Sequence, residues 1–414
     1  MRVLVVGDGA REHAIAWKLD QQNRRIDLYI APGNAGTSEI GENVPISPTD
    51  ISGLARFVRD NDIRFTVVGP EDALAAGIVN RFLDIGFPIF GPTAQAAIIE
   101  TNKYEAKLLM REAGVPTASW KYFRSLTLAK QHVAIAVPSL VIKEIGLARG
   151  KGVLVTSDRQ EAIAWLDTRI EKIFKEGILF EEYLVGQEIS VFAFVHGEQV
   201  SQLFAACDYK HLEDNDQGPM TGGMGGYSPP AIWTPQLDQQ IRETIMEPLA
   251  RALVARGTLF VGVLYAGLML TDKGPIVLEF NARFGDPETQ VILPRLKSDL
   301  LEAMMLTVEG RVGEIVLEWE FGVCVGVVLA TEGYPLNPVS GDVVKGLERC
   351  PSNILVFHAG TRRAGDYVET TGGRILTVVA LRKTLGKAIT DCYRGVRAID
   401  VRGARHRKDI AHIA

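Results

Sequence analysis

A strand followed by a polar turn is predicted by the sequence Gly274-Pro275-Ile276-Val277-Leu278-Glu279-Phe280-Asn281-Ala282-Arg283-Phe284-Gly285-Asp286-Pro287-Glu288. Successive side chains of a strand point to opposite faces, so Glu279 and Asn281 should share one face, and Leu278 and Phe280 the other. A carboxylate and an amide oxygen side by side suit a hard cation such as Mg²⁺. The pattern therefore favours the floor of a site that holds a nucleotide phosphate with a metal. Its alternative is a strand end with a solvated polar rim.

The composition is that of an ordinary globular protein. The chain has 414 residues, of which 47% are hydrophobic and 23% charged, and this length predicts two to four domains. The net charge of −5 gives no general case for binding nucleic acid or a membrane surface. The four cysteines lie far apart without a CxxC pair, which argues against a disulfide framework or a zinc site and fits the cytoplasm. The longest apolar runs fall well short of a membrane span.

Residues 1–100 alternate short apolar runs with helical patterns, including one helix expected over 73–85. This alternation predicts a doubly wound α/β unit with a parallel sheet. Ligands of such sheets bind beyond the carboxyl ends of the strands. Those ends carry four polar, glycine-rich loops, at 7–9, 32–36, 69–71 and 91–93.

The middle of the chain favours an α+β unit with antiparallel strands. Single helices are expected over 161–174 and 235–256. The segment 213–230 is so rich in glycine that we predict a long loop there, serving as a linker or approaching a ligand closely. From about residue 320 the pattern predicts a third, smaller mixed unit.

Two glycine-rich segments resemble familiar nucleotide motifs without matching them. Gly7–Glu12 lacks the third glycine and the acidic partner of an NAD site, so it is either a phosphate-binding helix start or a plain turn. Gly146–Gly152 is one residue too short for a P-loop and precedes a strand. With Arg149 and Lys151 it fits a lid over phosphates, or a mobile surface hairpin. Glu181–Glu188 fits a nucleotide-edge strand or a solvated acidic edge.

Eleven segments together carry a family resemblance: GDGAREHA at 7–14, APGNAG at 31–36, VGPE at 68–71, FGPT at 90–93, GLARGKGV at 146–153, EEYL at 181–184, GPMTGGMGGYSP at 218–229, GVLYAGLM at 262–269, EFNARFGDPETQ at 279–290, FHAGT at 357–361 and GGR at 372–374. In this order they closely resemble the glycinamide ribonucleotide synthetase family of ATP-grasp ligases. The resemblance implies a preATP-grasp domain at 1–100 and an ATP-grasp domain at 101–315. It also implies a lid subdomain at about 117–190 and a C-terminal domain at 316–414.

The resemblance also implies the roles of individual residues. Glu279 and Asn281 match metal ligands for Mg²⁺ or Mn²⁺. The residues that match the ATP site are Lys103, Lys143, Gly150, Lys151, Gly152, Glu182, Leu184 and Glu188. The residues that match the substrate sites are Gly9, Arg11, Asn34 and Glu71 on the phosphoribosylamine rim, and Asp208, Lys210, Thr221, Gly223, Arg283 and Asp286 around the acceptor. Arg283, Lys143 and Asp208 are the implied catalytic residues.

The implied activity is ATP-dependent ligation of glycine to 5-phosphoribosylamine in purine biosynthesis. Both substrates are small molecules, and we expect a cytoplasmic monomer without nucleic-acid or membrane partners. The chain departs from the family pattern at Ala10, Glu144-Ile145, Arg149, Ala206, Cys207, Tyr209, His211, Met220, Leu336 and Ala411. The changes around Cys207 to Met220 motivate a second reading, an ATP-grasp paralogue that joins another carboxylate to another amine. A third reading is a nucleotide-binding scaffold without catalysis, which intact metal ligands and phosphate-binding lysines disfavour.

Overall fold

The N-terminal unit is built on a five-stranded sheet of order β3-β2-β1-β4-β5 in which every pair is parallel. The computed structural model describes residues 1–21, 25–136, 139–147 and 152–412. The elements of this unit are β1 (Arg2–Gly7), α1 (Ala10–Asp20), β2 (Asp27–Pro32), β3 (Glu42–Asn43), α2 (Ile51–Asp60), β4 (Phe65–Val68), α3 (Glu71–Ala75), α4 (Ile78–Asp84) and β5 (Ile89–Phe90). The predicted parallel sheet is confirmed.

The helix expected over 73–85 is wrong, because two helices occupy this stretch. Helices α3 and α4 are separated at Gly77, which has a φ of 85°. This left-handed conformation is open to glycine and ends α3 before α4 starts in a new direction. The sequence pattern missed the break because the apolar spacing continues across it.

Two helices come next, α5 (Ile98–Thr101) and α6 (Lys103–Ala113). A small separate unit follows them in the chain. Its antiparallel sheet has the order β6-β9-β7-β8. The elements are β6 (Trp120–Phe123), α7 (Leu126–Ile135), β7 (Leu140–Glu144), β8 (Val153–Thr156), α8 (Arg159–Asp167), α9 (Ile170–Glu176) and β9 (Ile178–Glu182). A separate apolar core of Ile142, Leu166 and Phe180 holds it together. The single helix expected over 161–174 is wrong, since α8 ends at Asp167 and α9 starts at Ile170.

The largest sheet has nine antiparallel strands, in the order β17-β16-β10-β12-β15-β18-β23-β20 with β11 on β10. Its strands are β10 (Gln187–His196), β11 (Gln199–Val200), β12 (Phe204–Asp208), β15 (Gly225–Ser228), β16 (Val261–Thr271), β17 (Gly274–Asn281), β18 (Val323–Ala330), β20 (Leu355–His358) and β23 (Arg374–Arg382). Because β15 pairs with β12 on one side and β18 on the other, the middle and C-terminal parts of the chain share one sheet.

Short strands and further helices complete the fold. The strands are β13 (His211–Glu213), β14 (Gln217–Met220), β19 (Val343–Val344), β21 (Thr361–Ala364) and β22 (Tyr367–Thr370). The helices are α10 (Pro235–Ile241), α11 (Glu247–Ala255), α12 (Glu288–Ile292), α13 (Leu300–Val308) and α14 (Leu385–Ala398). Within the ranges described above, no helix is long and apolar enough to cross a membrane.

The helix expected over 235–256 is confirmed as one continuous helical stretch, Pro235 to Ala255, but it is not α-helical throughout. A π-helical turn at Arg242–Met246 separates α10 from α11, and Pro248 stands in the first turn of α11. Proline has no backbone N–H to donate to the preceding turn, so the regular hydrogen-bond pattern cannot run through this point.

The loop predicted over 213–230 contains two strands, β14 and β15, and its prediction as strand-free is wrong. Glycine is required in β15 for close pairing rather than for flexibility. A Cβ at Gly226 would lie 2.6 Å from the carbonyl oxygen of Cys207, and one at Gly225 would lie 2.6 Å from that of Gly326. Both distances are too short for a side chain, so glycine lets β15 fit between its neighbours.

Strand β17 contains a bulge that shifts its alternation. Its register with β16 jumps between Gly267 and Leu268, leaving Leu278 without an opposite residue. Val277 and Phe280 are consequently both in the main apolar core, so the simple alternation predicted for this strand holds only in part. Beyond the bulge the register is regular through Glu279 and Asn281, which still lie two residues apart on one face.

Candidate active site

The end of β17 brings together the side-chain oxygen atoms of Glu279 and Asn281 and the guanidinium group of Arg283. Nη2 of Arg283 lies 3.3 Å from Oδ1 of Asn281, whose side chain is buried. Burial by itself would raise the pKa of Glu279, but Lys143, Lys103, Lys210 and Arg283 together lower it. The positive charges thus favour the carboxylate form of Glu279, the ionisation state that a metal ligand requires.

Two lysines from different units approach this strand. Lys103, at the start of α6, donates from Nζ to the carbonyl oxygen of Gly146 at 3.2 Å. Lys143, in β7, donates to the carbonyl oxygen of Leu278 at 3.2 Å, the residue before Glu279. Burial lowers the pKa of Lys103, and Glu279 opposes that shift. The small β6–β9 unit thus supplies one cation and α6 the other, which suits a group with several negative charges.

Arg283 is fixed by two carboxylates from the N-terminal side. Its Nε lies 2.9 Å from Oε2 of Glu71, and its Nη2 lies 2.7 Å from Oε1 of Glu100. Oε2 of Glu100 also accepts from the backbone N–H of Ala282 at 2.7 Å. The guanidinium is therefore oriented by carboxylates of α3 and α5 just after the end of β17. Glu100 was not identified from the sequence, since nothing local distinguishes it from other helical glutamates.

Asp208, Lys210 and Glu188 form one charged group at the ends of β12 and β10. Nζ of Lys210 lies 3.1 Å from Oδ1 of Asp208 and is also hydrogen-bonded to Glu188. The two carboxylates raise the pKa of Lys210 well above its ordinary value, although burial opposes them. Glu188 was assigned to the nucleotide and Lys210 to the acceptor, so this contact joins the two halves of the predicted site.

A buried network behind this group was missed by sequence reasoning. Oε1 of Glu288 accepts from the Tyr265 hydroxyl at 2.6 Å and from the Ser190 hydroxyl at 3.1 Å. Ser190 also lies 3.3 Å from Oδ1 of Asp208. Burial, followed by Asp208, raises the pKa of Glu288 to about 7. These residues come from four separate elements, and no spacing in the sequence relates them.

Asp286 is tied to the glycine-rich segment by an arginine from the C-terminal part of the chain. Nη2 of Arg374 lies 2.7 Å from Oδ2 of Asp286, and Nη1 donates to the carbonyl oxygen of Gly222 at 2.6 Å. Thr221 is buried and donates to the carbonyl oxygen of Lys210 at 2.7 Å, while Gly223 donates to the Thr221 hydroxyl. The acceptor residues predicted from the sequence are therefore brought together, and Arg374 is an addition to them.

Gly9 and Arg11 lie at the start of α1, next to the turn after β17. The backbone N–H of Gly9 donates to Oε2 of Glu12 at 2.8 Å, and Nε of Arg11 lies 2.5 Å from Oε1 of the same carboxylate. Nη1 of Arg11 donates to the carbonyl oxygen of Phe284 at 3.3 Å. The predicted rim residues Arg11 and Glu71 thus lie beside Arg283, because Oε2 of Glu71 is 3.8 Å from Nη1 of Arg11 and 2.9 Å from Nε of Arg283. Gly9 is connected to Arg11 through Glu12.

Asn34 is placed on the same rim, but its amide is engaged within the fold. Its Nδ2 donates to the carbonyl oxygens of Asp8 and His358, both at 2.8 Å. Its Oδ1 accepts from the backbone N–H groups of Gly36 at 2.9 Å and Thr37 at 3.1 Å. These four bonds join the loops after β1 and β2 to β20, which gives Asn34 a structural task at this position.

The nucleotide-edge residues lie at the end of β9. Glu182 is exposed and its Oε1 accepts from the backbone N–H of Ser119 at 3.0 Å, while Leu184 is partly buried. Gly152 is buried and its carbonyl oxygen accepts from the backbone N–H of Glu144 at 2.8 Å. The assigned lid residues Gly150 and Lys151, together with Arg149, lie outside the described residues.

The donor set fits a hard cation with a polyphosphate. Glu279 and Asn281 offer oxygen atoms, the type of ligand that Mg²⁺ and Mn²⁺ take, and the ionised state of Glu279 follows from its surrounding cations. Lys103 and Lys143 supply the positive charge that phosphate oxygens require.

Comparison with protein families covers nearly the whole chain. Residues 1–100 match the phosphoribosylglycinamide synthetase N domain, and 101–289 match its ATP-grasp (A) domain. Residues 324–413 match its C domain.

Individual relatives agree with this result. The chain is 47% identical to a phosphoribosylamine–glycine ligase of Halalkalibacterium halodurans, over 99% of this chain and 96% of the relative. The crystal structure of a phosphoribosylamine–glycine ligase from Thermotoga maritima superimposes with a TM-score of 0.85 at 31% identity, over 99% of this chain and 100% of the other. A biotin carboxylase domain from Hydrogenobacter thermophilus, solved with MgADP, shares the fold at a TM-score of 0.69 and 15% identity, over 98% of this chain and 91% of that one. The family resemblance and the mixed α/β ATP-grasp fold inferred from the sequence are confirmed.

Proposed function

Because the chain belongs to the phosphoribosylglycinamide synthetase family and is thus an ATP-grasp ligase of purine biosynthesis, we propose that it joins glycine to 5-phosphoribosylamine through glycyl phosphate. The products are glycinamide ribonucleotide, ADP and phosphate. The observation that carries the proposal is the arrangement at the end of β17, where Arg283 contacts Asn281, Lys143 donates to the carbonyl oxygen next to Glu279, and the charges of Lys103 and Lys143 lower the pKa of Glu279. These groups come from the β17 strand end, from α6 and from the β6–β9 unit, which we propose as the lid.

In the first step a carboxylate oxygen of glycine attacks the γ-phosphorus of ATP, and ADP leaves. Negative charge builds up on the phosphoryl oxygens, and Lys103, Lys143 and Arg283 offset it. A magnesium ion held by Glu279 and Asn281 would further neutralise phosphate charge when bound. The pairing of Arg283 with Glu71 and Glu100 fixes its orientation before the substrate arrives, so little reorganisation is needed during the reaction.

In the second step the amine nitrogen of phosphoribosylamine attacks the acyl carbon, and phosphate leaves as the C–O bond breaks. The attacking nitrogen must lose a proton, and we assign Asp208 as the group that takes it, because its Oδ1 lies 3.1 Å from Nζ of Lys210 among the residues proposed for the acceptor side. Thr221, Gly223 and Asp286 would hold the acceptor side, while Gly9, Arg11 and Glu71 would face the phosphoribosyl group. A lid closed over the acyl phosphate would exclude water, with Gly150, Lys151 and Gly152 over the phosphates.

We further propose that Glu182 and Leu184 hold the adenine and that Glu188 holds the ribose of ATP. The end of β9 and the start of β10 support this by lying next to Lys143 and Lys210. We keep the division into domains at 1–100, 101–315 and 316–414 as a proposal. A cytoplasmic monomer is proposed as well; the free state of all four cysteines supports a reducing compartment.

The test is phosphate release by the full chain with ATP, Mg²⁺, glycine and freshly generated phosphoribosylamine, followed by mass analysis of the product. We expect phosphate to be released only when glycine and phosphoribosylamine are both present, and the product to have the mass of glycinamide ribonucleotide. Release that depends on another carboxylate and another amine would favour the paralogue reading. ATP binding without any acceptor-dependent ADP formation would favour the scaffold.

A further inference from the structure

Lys107 is a deeply buried cation of α6 that no step above uses. Its side chain is 2% exposed. Nζ donates to the Thr117 hydroxyl at 2.6 Å and lies 3.2 Å from Oε1 of Glu181. An ammonium group is costly to bury, so its retention here calls for a task beyond packing.

The carboxylate of Glu181 is shared between two lysines. Its Oε2 lies 3.0 Å from Nζ of Lys143, the residue proposed to reach the phosphates of ATP. Lys107 belongs to α6 and Lys143 to β7, while Glu181 belongs to β9. The shared carboxylate therefore links the lid sheet to the helix that also carries Lys103.

The same two lysines are connected to the strand of the metal ligands. The Thr117 hydroxyl, which accepts from Lys107, donates to the carbonyl oxygen of Val277 at 2.8 Å. Lys143 donates to the carbonyl oxygen of Leu278 at 3.2 Å. Both carbonyls belong to β17 at the bulge, immediately before Glu279. Lys107 thus stands at the junction of α6, the lid strands and the start of the metal site.

We propose that Lys107 is a positioning residue for ATP: it holds Glu181 so that Lys143 stays aimed at the nucleotide phosphates. Without Lys107, Glu181 would keep Lys143 as its remaining cation and draw the ammonium group toward itself, away from the phosphates. This inference rests on the proposed function, because it takes Lys143 as a ligand of ATP. Lys107 itself touches neither ATP nor the acceptors in this account.

The protonation of Lys107 supplies an independent readout. Burial lowers its pKa to about 8, with Glu181 opposing the shift and Lys143 adding to it. Glu182 on β9 and the Thr117 hydroxyl in the segment before β6 complete its charged and polar surroundings. As the pH rises through about 8 the ammonium loses its proton and its charge beside Glu181. ATP binding by the native protein should therefore weaken over that range.

The experiment compares Lys107→Met with the wild-type chain and with a matched control, Lys130→Met. Methionine keeps the unbranched shape without the charge. Lys130 forms an exposed ion pair in the lid with Asp167, at 2.6 Å, so the control also removes a lysine–carboxylate pair from this unit. We measure kcat, the KM values for ATP and glycine, and thermal melting, from about pH 7 to about pH 9.

For Lys107→Met we expect the KM for ATP to rise roughly tenfold at neutral pH, with the KM for glycine within about twofold of wild type. The rise of this KM with pH should disappear in the variant and persist in Lys130→Met. A wild-type KM for ATP in folded Lys107→Met, or an unchanged pH profile, would overturn the proposal. If Lys107→Met fails to fold, Lys107→Arg takes its place. Arginine keeps its charge over this pH range, so Lys107→Arg should bind ATP as the wild type does at neutral pH. Its KM for ATP should not rise between about pH 7 and about pH 9, and a rise like that of the wild type would overturn the proposal.

The outcome remains separable from the proposed function. If the wild-type chain releases no phosphate in response to glycine and phosphoribosylamine, the proposed function fails whatever Lys107 does. If the wild type is active and only the Lys107→Met prediction fails, the ligase assignment stands and Lys107 has no positioning task.

Discussion

At the proposed metal site, Oδ1 of Asn281 lies 3.3 Å from Nη2 of Arg283, and nearby cations lower the pKa of the neighbouring Glu279. At the predicted phosphoribosyl rim, by contrast, the Asn34 side chain makes four hydrogen bonds with backbone groups. Both asparagines fall in segments that resemble the family. The two amides differ in their surroundings, since that of Asn281 lies beside charged groups that suit a metal ligand and that of Asn34 joins two loops to a strand. A residue in a recognisable motif can therefore serve the scaffold, and its bonding partners decide which role it has.

The largest effect should come from Asn281→Ala. Removing the oxygen should lower kcat by about 100-fold or more, as for other groups that stabilise transition-state charge, with little change in the free energy of unfolding. Steady-state kinetics and urea unfolding measure the two quantities. Asn353→Ala, in a turn before β20, is a control for the substitution itself. A near-wild-type rate in Asn281→Ala would remove the metal assignment.

Asn34→Ala should behave in the opposite way. Losing several buried hydrogen bonds at about 1 kcal/mol each should lower the free energy of unfolding by roughly 2–4 kcal/mol. The rate per folded molecule should fall less than in Asn281→Ala. If the variant keeps wild-type stability while the KM for phosphoribosylamine rises steeply, Asn34 is a ligand and the contrast drawn here is wrong.

A third variant, Arg374→Met, addresses the acceptor side alone. It removes the contacts that hold Asp286 and the carbonyl oxygen of Gly222. The KM for glycine or for phosphoribosylamine should therefore rise by roughly tenfold. ATP binding should stay near that of wild type because Lys103 and Lys143 are untouched. Arg363→Met, whose exposed arginine pairs with Glu39, is the matched control. An equal rise in the KM for ATP and in the KM values for glycine and phosphoribosylamine would show that Arg374 supports the whole site.

The smallest expected effect is a pH dependence of stability from Glu288. Burial raises its pKa to about 7 from an ordinary value of 4.5. Between those values the folded state binds more protons than the unfolded state, so this group makes stability fall as the pH rises. Glu288→Gln should lose this slope, gaining roughly 1–2 kcal/mol relative to wild type between about pH 5 and about pH 7. Urea unfolding at about pH 5 and at about pH 7 measures this difference in the free energy of unfolding.

The control for Glu288→Gln is a glutamate that lies outside the buried network. Glu198→Gln makes the same chemical change on an exposed turn. If Glu288→Gln and the wild type keep the same pH slope, Glu288 is not held in its neutral form by burial.

The parallel sheet and strand β17 with its polar end could be predicted from the sequence because their signals are local. Apolar runs followed by glycine loops mark β1, β2 and β4, and the two-residue spacing of Glu279 and Asn281 survives the bulge before them. The bulge itself could not be predicted, since its position depends on the register with β16. Strand β15 was missed because glycine usually breaks strands, while here the lack of a Cβ permits close pairing.

The rest of the site depends on contacts between distant parts of the chain. Arg374 reaches Asp286 only because β15 and β18 join the middle and C-terminal parts in one sheet. Glu288 meets Ser190 and Tyr265 only in the folded structure. A single sequence carries the chemistry of these side chains but not their pairing, and so it predicts ligands in motifs better than the residues that orient them.

The proposed reaction depends on the activation of glycine as an acyl phosphate at this site. The most direct measurement supplies glycine whose carboxylate carries a heavy oxygen isotope, with ATP and phosphoribosylamine, and determines the mass of the released phosphate. We expect one labelled oxygen per phosphate, because the attacking carboxylate oxygen leaves with phosphorus when the amine displaces it. Unlabelled phosphate formed together with glycinamide ribonucleotide would contradict it.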